Sequence, residues 1–134
     1  MGKLLRELDL FDTLKKKIEE GLPVWGTCAG LILLAKEVDG GIPCFGTMDI
    51  KVKRNAFGRQ LGSFNAEEEF KGIGKIPMAF IRAPYIVETG EGVEVLAETE
   101  EKIVAAKQGR QFVTAFHPEV TNDLRAHKYF VDML

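Results

Sequence analysis

Hydrophobic residues along this chain follow a helical spacing at both ends and a strand spacing in between. In residues 4–20 an apolar side chain recurs every three or four positions, which predicts an amphipathic helix. Gly21 and Pro23 end it, because glycine suits the position after a helix and proline cannot continue one. Carboxylates flank the lysine run at 15–17, so we interpret that run as a solvated face and not as a basic patch.

Alternating and uniformly apolar stretches predict strands through the middle of the chain. Residues 48–53 alternate, with Met48, Ile50 and Val52 on one face. The other predicted strands are 78–81, 93–97, 103–106 and 112–116. The last is apolar enough to be buried on both faces, and the short turn before it predicts a hairpin. We interpret 54–60 as a loop that presents side chains, and Glu67-Glu68-Glu69 in the acidic stretch 63–71 as an exposed edge or rim.

A second helix is predicted from about residue 122 to residue 133, with Thr121 or Asn122 as its cap. His127 lies in the middle of this helix, and we interpret it as a surface residue. The residues predicted for its inner face are Leu124, Ala126 or Lys128, Val131 and Leu134.

Residues 23–36 combine a short apolar strand, a sharp turn and a helix that begins at once and ends near Val38. The turn, Gly26-Thr27-Cys28-Ala29-Gly30, has the layout of a nucleophile elbow with cysteine in place of serine. A side chain at either glycine is expected to crowd the turn. Backbone N–H groups and the helix dipole are expected to lower the pKa of the cysteine. The alternative is a small buried cysteine in a glycine-rich turn.

A second motif, His117-Pro118-Glu119, directly follows the strand predicted at 112–116. The carboxyl end of a strand is where α/β sheets place their active residues. Pro118 fixes the backbone, so Glu119 can hydrogen-bond one imidazole nitrogen and leave the other to take a proton from Cys28. Cys28, His117 and Glu119 therefore form a candidate nucleophilic triad. By itself, the second motif would favour a capped turn before the last helix, and it is the cysteine elbow that makes the catalytic interpretation the preferred one.

Length and composition fit one soluble domain spanning residues 1–134. The formal net charge of −2 gives no indication of a nucleic-acid partner. No apolar run approaches membrane-spanning length and no signal-peptide pattern opens the chain, so we expect no membrane partner and a cytoplasmic location. Two cysteines are too few for a disulfide framework, and Cys44 is interpreted as incidental. No cysteine and histidine spacing resembles a metal site.

The elbow and the His-Pro-Glu motif resemble those of class I glutamine amidotransferases. Two further segments, Arg54-Asn55-Ala56-Phe57-Gly58-Arg59-Gln60 and Phe80-Ile81-Arg82-Ala83-Pro84, are similar to the glutaminase subunit of pyridoxal phosphate synthase. The resemblance runs through essentially the whole chain. It implies an α/β, flavodoxin-like three-layer sandwich.

The resemblance also implies a reaction and its residues. Cys28 would attack the side-chain amide of L-glutamine, with His117 as general base and acid and Glu119 as its orienter. The backbone N–H of Ala29 would be an oxyanion donor. Ammonia would pass to a (β/α)-barrel synthase subunit that builds pyridoxal phosphate, and the glutaminase side would need no cofactor. The residues that would contact the bound glutamine are Arg54, Ile81 and Arg82.

Members of that family begin with further strands and a Gly-Gly-Glu-Ser turn, which this sequence does not show before its first helix. The resemblance thus implies a domain that is incomplete at its N-terminus. The turn would supply a second oxyanion donor, and losing one donor raises a barrier by about 3–4 kcal/mol. Missing strands would also leave an open sheet edge that invites self-association.

Two alternative functions stay open from the sequence. One is a cysteine hydrolase or stress protein of the same elbow superfamily, which has no reason to carry a glutamine pocket at Arg54, Ile81 and Arg82. The other is a non-catalytic, incomplete domain that folds by pairing through its open edge.

Overall fold

The computed structural model describes residues 11–39, 41–54 and 63–134. Residues 4–10 of the first predicted helix and residues 55–60 of the predicted loop lie outside these ranges. The helices are α1 (Phe11–Glu19), α2 (Ala29–Leu34) and α3 (Arg125–Asp132), with a 3-10 turn at Pro118–Val120. The strands are β1 (Val24–Thr27), β2 (Ala35–Asp39), β3 (Met48–Lys53), β4 (Ser63–Phe70), β5 (Gly74–Ile81), β6 (Tyr85–Thr89), β7 (Glu94–Thr99), β8 (Lys102–Gln108) and β9 (Gln111–Thr114).

Within the described part of the chain, the strands pair into one connected sheet. The order is β2-β3-β6-β8-β7-β4-β5, and β9 pairs with both β8 and β1. The pairs β1/β9 and β2/β3 are parallel, and the others are antiparallel. Thr27 of β1 lies opposite Thr114 of β9, so both strands end at the same edge of the sheet. This register brings the elbow next to the segment that leads to His117.

The strands with the clearest patterns form as predicted. Met48, Ile50 and Val52 of β3 are almost completely buried, whereas Lys53 is exposed. β9 is buried at every position and forms a hairpin with β8. Both predictions are confirmed. The alternating pattern of β3 reflects burial of one face, and the uniformly apolar pattern of β9 reflects burial of both faces.

One prediction about local structure was wrong. The elbow helix ends at Leu34 and not near Val38, because residues 35–39 form β2 and pair in parallel with β3. Tertiary pairing thus overrides a weak helical propensity. The acidic stretch forms β4, which pairs with β5 along its whole length but with β7 only through Phe70, and Glu67 and Glu69 are exposed as predicted. The pattern of the chain also gave no indication of β6.

The last helix presents a different face from the one predicted. Leu124, Val131 and Leu134 were assigned to the inner face, but they are 68%, 59% and 68% exposed. Ala126 is buried as predicted. The other residues that face the core are Tyr129, Phe130 and Met133.

The predicted cap is also wrong, since the N–H of Arg125 donates to Asp123 Oδ1 at 2.9 Å and not to Thr121 or Asn122. The carboxylate of Asp123 also accepts from the guanidinium of Arg125, and this interaction lowers the pKa of Asp123. A charged acceptor is the stronger partner for a helix N–H.

Aromatic packing explains why α3 turns this face inward. Trp25 of β1 stacks on Phe112 of β9 with 5.0 Å between the ring centroids, and Phe130 lies 5.6 Å from Trp25. Tyr129 lies 5.2 Å from both Phe70 and Phe112. Such pairs add about 0.5–1.5 kcal/mol each beyond the area that they bury. The cluster therefore ties the last helix to the elbow strand and to β9.

Replacing Tyr129 with alanine should lower the free energy of unfolding by about 2–3 kcal/mol, somewhat less than for a fully buried aromatic residue. Val131→Ala is the matched control on the opposite face and should change it by less than about 0.5 kcal/mol. Urea unfolding of both variants measures the difference. A larger loss of unfolding free energy for the valine variant would support the helix face predicted from the sequence.

Candidate active site

A close backbone contact shapes the turn that carries Cys28. A Cβ placed on Gly26 would lie 2.6 Å from both C and O of Gly30, so only glycine fits at position 26. A Cβ on Gly30 would meet no atom within 4 Å, so the prediction of crowding at that position was wrong. Cys28 adopts φ 50°, a left-handed backbone conformation that residues other than glycine rarely adopt, and it lies at the N-terminus of α2. These features confirm the elbow geometry.

Two backbone hydrogen bonds hold Cys28 in this conformation. Its N–H donates to the carbonyl of Thr114 at 2.8 Å, and its carbonyl accepts from Leu31 N–H at 3.1 Å. The first joins the elbow to β9, and the second belongs to the first turn of α2. The thiol therefore projects from a backbone that is fixed on both sides.

The thiol of Cys28 lies half-buried, with Sγ 3.8 Å from the carbonyl oxygen of Ile81. Burial raises its pKa, the N–H of Ala29 lowers it in part, and the charge of Glu119 raises it further. The net pKa is above the ordinary thiol value, so the predicted lowering was wrong. Six helical residues in α2 do not offset the loss of hydration.

His117 and Glu119 form the predicted pair. His117 Nδ1 lies 3.0 Å from Glu119 Oε2. The backbone N–H of His117 donates to the carbonyl of Ala79 at 2.8 Å. Burial acts to raise the pKa of Glu119. The hydrogen bond from His117 and the charges of His117 and His127 outweigh burial, so the pKa lies below its usual range. Glu119 is thus an anion near neutral pH, and Nε2 is the imidazole nitrogen left for a thiol.

One of the predicted glutamine contacts, Ile81, lies at the thiol of Cys28. Ile81 ends β5 beside the thiol, and Arg82 follows it with φ 47° and an exposed side chain. Arg54 follows β3, and the end of its side chain lies close to Gly41. The carbonyl of Ile81 thus lies beside the thiol, and the roles of Arg54 and Arg82 in binding glutamine stay predictions.

His127 is not the surface residue expected from its sequence position. Its ring packs edge-on against Trp25, with 5.2 Å between centroids, and its Nδ1 is buried with no hydrogen-bond partner within the described ranges. Two further groups were missed, the carbonyl of Ala79 and the side chain of Thr114. Thr114 carried a signal, since a hydroxyl in a strand that is otherwise apolar needs a partner. In the ranges that the structure describes, no group of three or more His, Cys, Asp or Glu side chains could hold a metal ion.

A cysteine on a nucleophile elbow, together with a histidine that follows the neighbouring strand and is held by a carboxylate, is the arrangement of enzymes that transfer acyl groups through a thioester. The chain belongs to the SNO glutamine amidotransferase family, whose model matches residues 1–134. The prediction of a glutamine amidotransferase is confirmed at the level of the family.

Curated relatives carry a more specific name. The chain is 58% identical over 134 residues to the pyridoxal 5'-phosphate synthase subunit PdxT of Haemophilus influenzae strain PittEE. The match covers 99% of this chain and 70% of that protein. The subunit of the same name from Streptococcus pneumoniae strain ATCC 700669 is 56% identical over 134 residues, which is 69% of its length.

Solved structures confirm the predicted fold class. A crystal structure of a glutamine amidotransferase superposes with a TM-score of 0.93 at 47% identity, covering 98% of this chain and 71% of the other. A putative GMP synthase component from Thermoplasma acidophilum gives 0.61 at 20% identity, covering 96% of this chain and 65% of the other, which is a likeness of fold alone. No helix in the described residues is long and apolar enough to cross a membrane.

Gly26→Ala should destabilise the chain by about 1–3 kcal/mol or more, because its Cβ would overlap backbone atoms that cannot move aside. Gly30→Ala is the matched control. It should be neutral, or stabilising by up to about 1 kcal/mol, because alanine favours a helix more than glycine does. Denaturant midpoints compare the two. Equal losses in both variants would show that the close contact does not define the turn.

The alkylation rate of Cys28 should rise with pH with a midpoint above the ordinary thiol value of about 8.5. Glu119→Gln should lower that midpoint, because removing a nearby negative charge favours the thiolate. Mass spectrometry that resolves the two cysteines measures each rate. Glu98→Gln, on an exposed position of β7, should leave the midpoint unchanged. A midpoint below about 8.5 in the unmodified chain would restore the prediction made from the helix dipole.

Proposed function

We propose that this chain is the glutaminase subunit of a pyridoxal phosphate synthase, and that Cys28, His117 and Glu119 are its catalytic residues. The parallel register of β1 and β9 carries this proposal, since it brings the elbow cysteine and the His-Pro-Glu motif to one edge of the sheet. The reaction converts L-glutamine and water to L-glutamate and ammonia. Membership of the amidotransferase family and the PdxT relatives support the substrate.

In the first half of the reaction, Cys28 attacks the amide carbon of glutamine. His117 Nε2 takes the thiol proton as the C–S bond forms, and the carbonyl oxygen becomes an oxyanion. The N–H of Ala29 lies close enough to the thiol of Cys28 to lower its pKa, and we assign it as one donor to that oxyanion. His117 then returns the proton to the leaving nitrogen. The C–N bond breaks, and ammonia and a glutamyl thioester result.

In the second half, water attacks the thioester carbon. His117 takes a proton from the water and gives it to the departing sulfur, which restores the thiol and releases glutamate. Glu119 holds Nδ1 at 3.0 Å, which leaves Nε2 free for the proton transfers and stabilises the imidazolium when it forms.

The substrate pocket extends from the end of β5. The carbonyl of Ile81 lies next to the thiol, and Arg82 follows it with a positive φ. We assign both residues to the pocket. Arg54 is assigned to it as well, on the family resemblance alone.

The proposed protein partner is a (β/α)-barrel synthase subunit that receives the ammonia. The names of the relatives support this assignment. We place the complex in the cytoplasm, because Cys28 and Cys44 are both free thiols and reducing conditions keep such thiols from pairing.

One observation supports the non-catalytic alternative, a domain that pairs through an open edge. Within the described ranges, β1 pairs with β9 alone, so its other side carries backbone groups without a neighbouring strand. Light scattering across a range of chain concentrations tests this. A monomer at all concentrations would contradict self-association.

Cys28→Ala should abolish ammonia release from glutamine, measured with and without the barrel subunit. Without the nucleophile no thioester forms, and loss of such a residue lowers kcat by orders of magnitude. Cys44→Ala is the matched control and should retain activity, because its half-buried thiol lies in a loop before β3. Turnover that survives in the Cys28 variant would contradict the proposed mechanism. Activity on small peptides or aldehydes, and not on glutamine, would favour the cysteine hydrolase.

A further inference from the structure

Thr114 is a polar residue at the end of the buried strand β9, with no exposed surface. Its hydroxyl accepts a hydrogen bond from Trp25 Nε1 at 3.2 Å and donates one to the carbonyl of Phe116 at 3.2 Å. Its carbonyl accepts from the N–H of Cys28 at 2.8 Å. A buried hydroxyl in an apolar strand is unfavourable unless it is paired, so these contacts account for its presence.

These three hydrogen bonds reach both halves of the proposed active site. Phe116 directly precedes His117, and Trp25 lies three residues before Cys28. The side chain of Thr114 thus connects the elbow strand to the peptide from which the histidine extends, while its backbone holds the nitrogen of Cys28. A hydroxyl that donates once and accepts once in this way fixes the spacing between two strand ends.

We propose that the hydroxyl of Thr114 is a positioning group that sets the imidazole of His117 against the thiol of Cys28. The proposal rests on the proposed function for its glutaminase readout. Thr114 acts through the two backbone segments that it joins and does not contact the substrate.

The consequence of losing the hydroxyl is specific. A valine at this position keeps a branched side chain of similar size, but the indole N–H of Trp25 and the carbonyl of Phe116 both lose a partner. A buried donor or acceptor without a partner is unfavourable, so the backbone that carries these two groups is expected to shift until they find other partners. A displacement of about 1 Å in a catalytic pair can lower a rate by about a hundredfold. The thiol should therefore become less reactive even where the fold is retained.

The test compares Thr114→Val, Thr114→Ser and Thr99→Val in the full chain. Thr99 is the matched control, because it is also a buried threonine and its hydroxyl donates to Glu68 Oε2 away from the elbow. Site-resolved iodoacetamide alkylation at neutral pH gives the rate of Cys28 relative to Cys44 in the same molecule. Global unfolding would speed the reaction of both thiols, whereas misplacement of His117 slows that of Cys28 alone.

We expect Thr114→Val to lower the ratio of the Cys28 to the Cys44 rate by about tenfold or more. Thr114→Ser should restore it to within about twofold, and Thr99→Val should leave it unchanged. The proposal is overturned if Thr114→Val matches Thr99→Val, or if serine fails to restore the ratio.

A second readout separates this proposal from the proposed function. In the glutaminase assay with the barrel subunit, Thr114→Val should lower kcat with little change in KM, because the hydroxyl does not contact glutamine. A chain that shows no turnover on glutamine contradicts the proposed function, and the alkylation ratio still decides the role of Thr114. A rise in KM with an unchanged kcat would overturn the positioning role.

Discussion

The approach of Gly26 to the peptide of Gly30 is the contact on which the site depends. The backbone passes so close to itself there that a single methyl group would overlap main-chain atoms. Only because the turn is this tight can the chain leave β1 at Thr27, pass through Cys28 and begin α2 in the next residue. The left-handed φ of Cys28 is strain that the surrounding hydrogen bonds must outweigh.

The chemistry of the proposed site follows from where charge is stabilised. Burial keeps the thiol of Cys28 neutral in the resting chain, whereas Glu119 is anionic and hydrogen-bonded to His117. Such a thiol needs a base at the moment of attack, because it does not hold a thiolate in advance. A neutral thiol also resists oxidation better than a thiolate does, since oxidation proceeds through the thiolate. The same burial that slows the chemistry therefore protects the nucleophile between turnovers.

Much of this arrangement could be predicted from the sequence, because it rests on local rules. The elbow needs glycine and cysteine at fixed spacing, the proline between His117 and Glu119 fixes a short turn, and the alternation of β3 records which side is covered. The errors concern what distant residues decide. Pairing of residues 35–39 with β3 ends α2 at Leu34. Packing against the aromatic cluster determines which face of α3 is buried, and it leaves Leu124 and Val131 exposed. The pKa of Cys28 depended on how deeply the thiol is buried, which no spacing records.

The aromatic cluster also gives the chain a built-in optical probe. Trp25 is its single tryptophan, and its indole touches β9 through Phe112, α3 through His127 and Phe130, and the hydroxyl of Thr114. Its fluorescence therefore arises from one known position, three residues before the nucleophile. A shift of the last helix, or of β9, which leads to His117, changes the surroundings of that one indole. Movement around the cysteine can thus be followed by intrinsic emission, without a label.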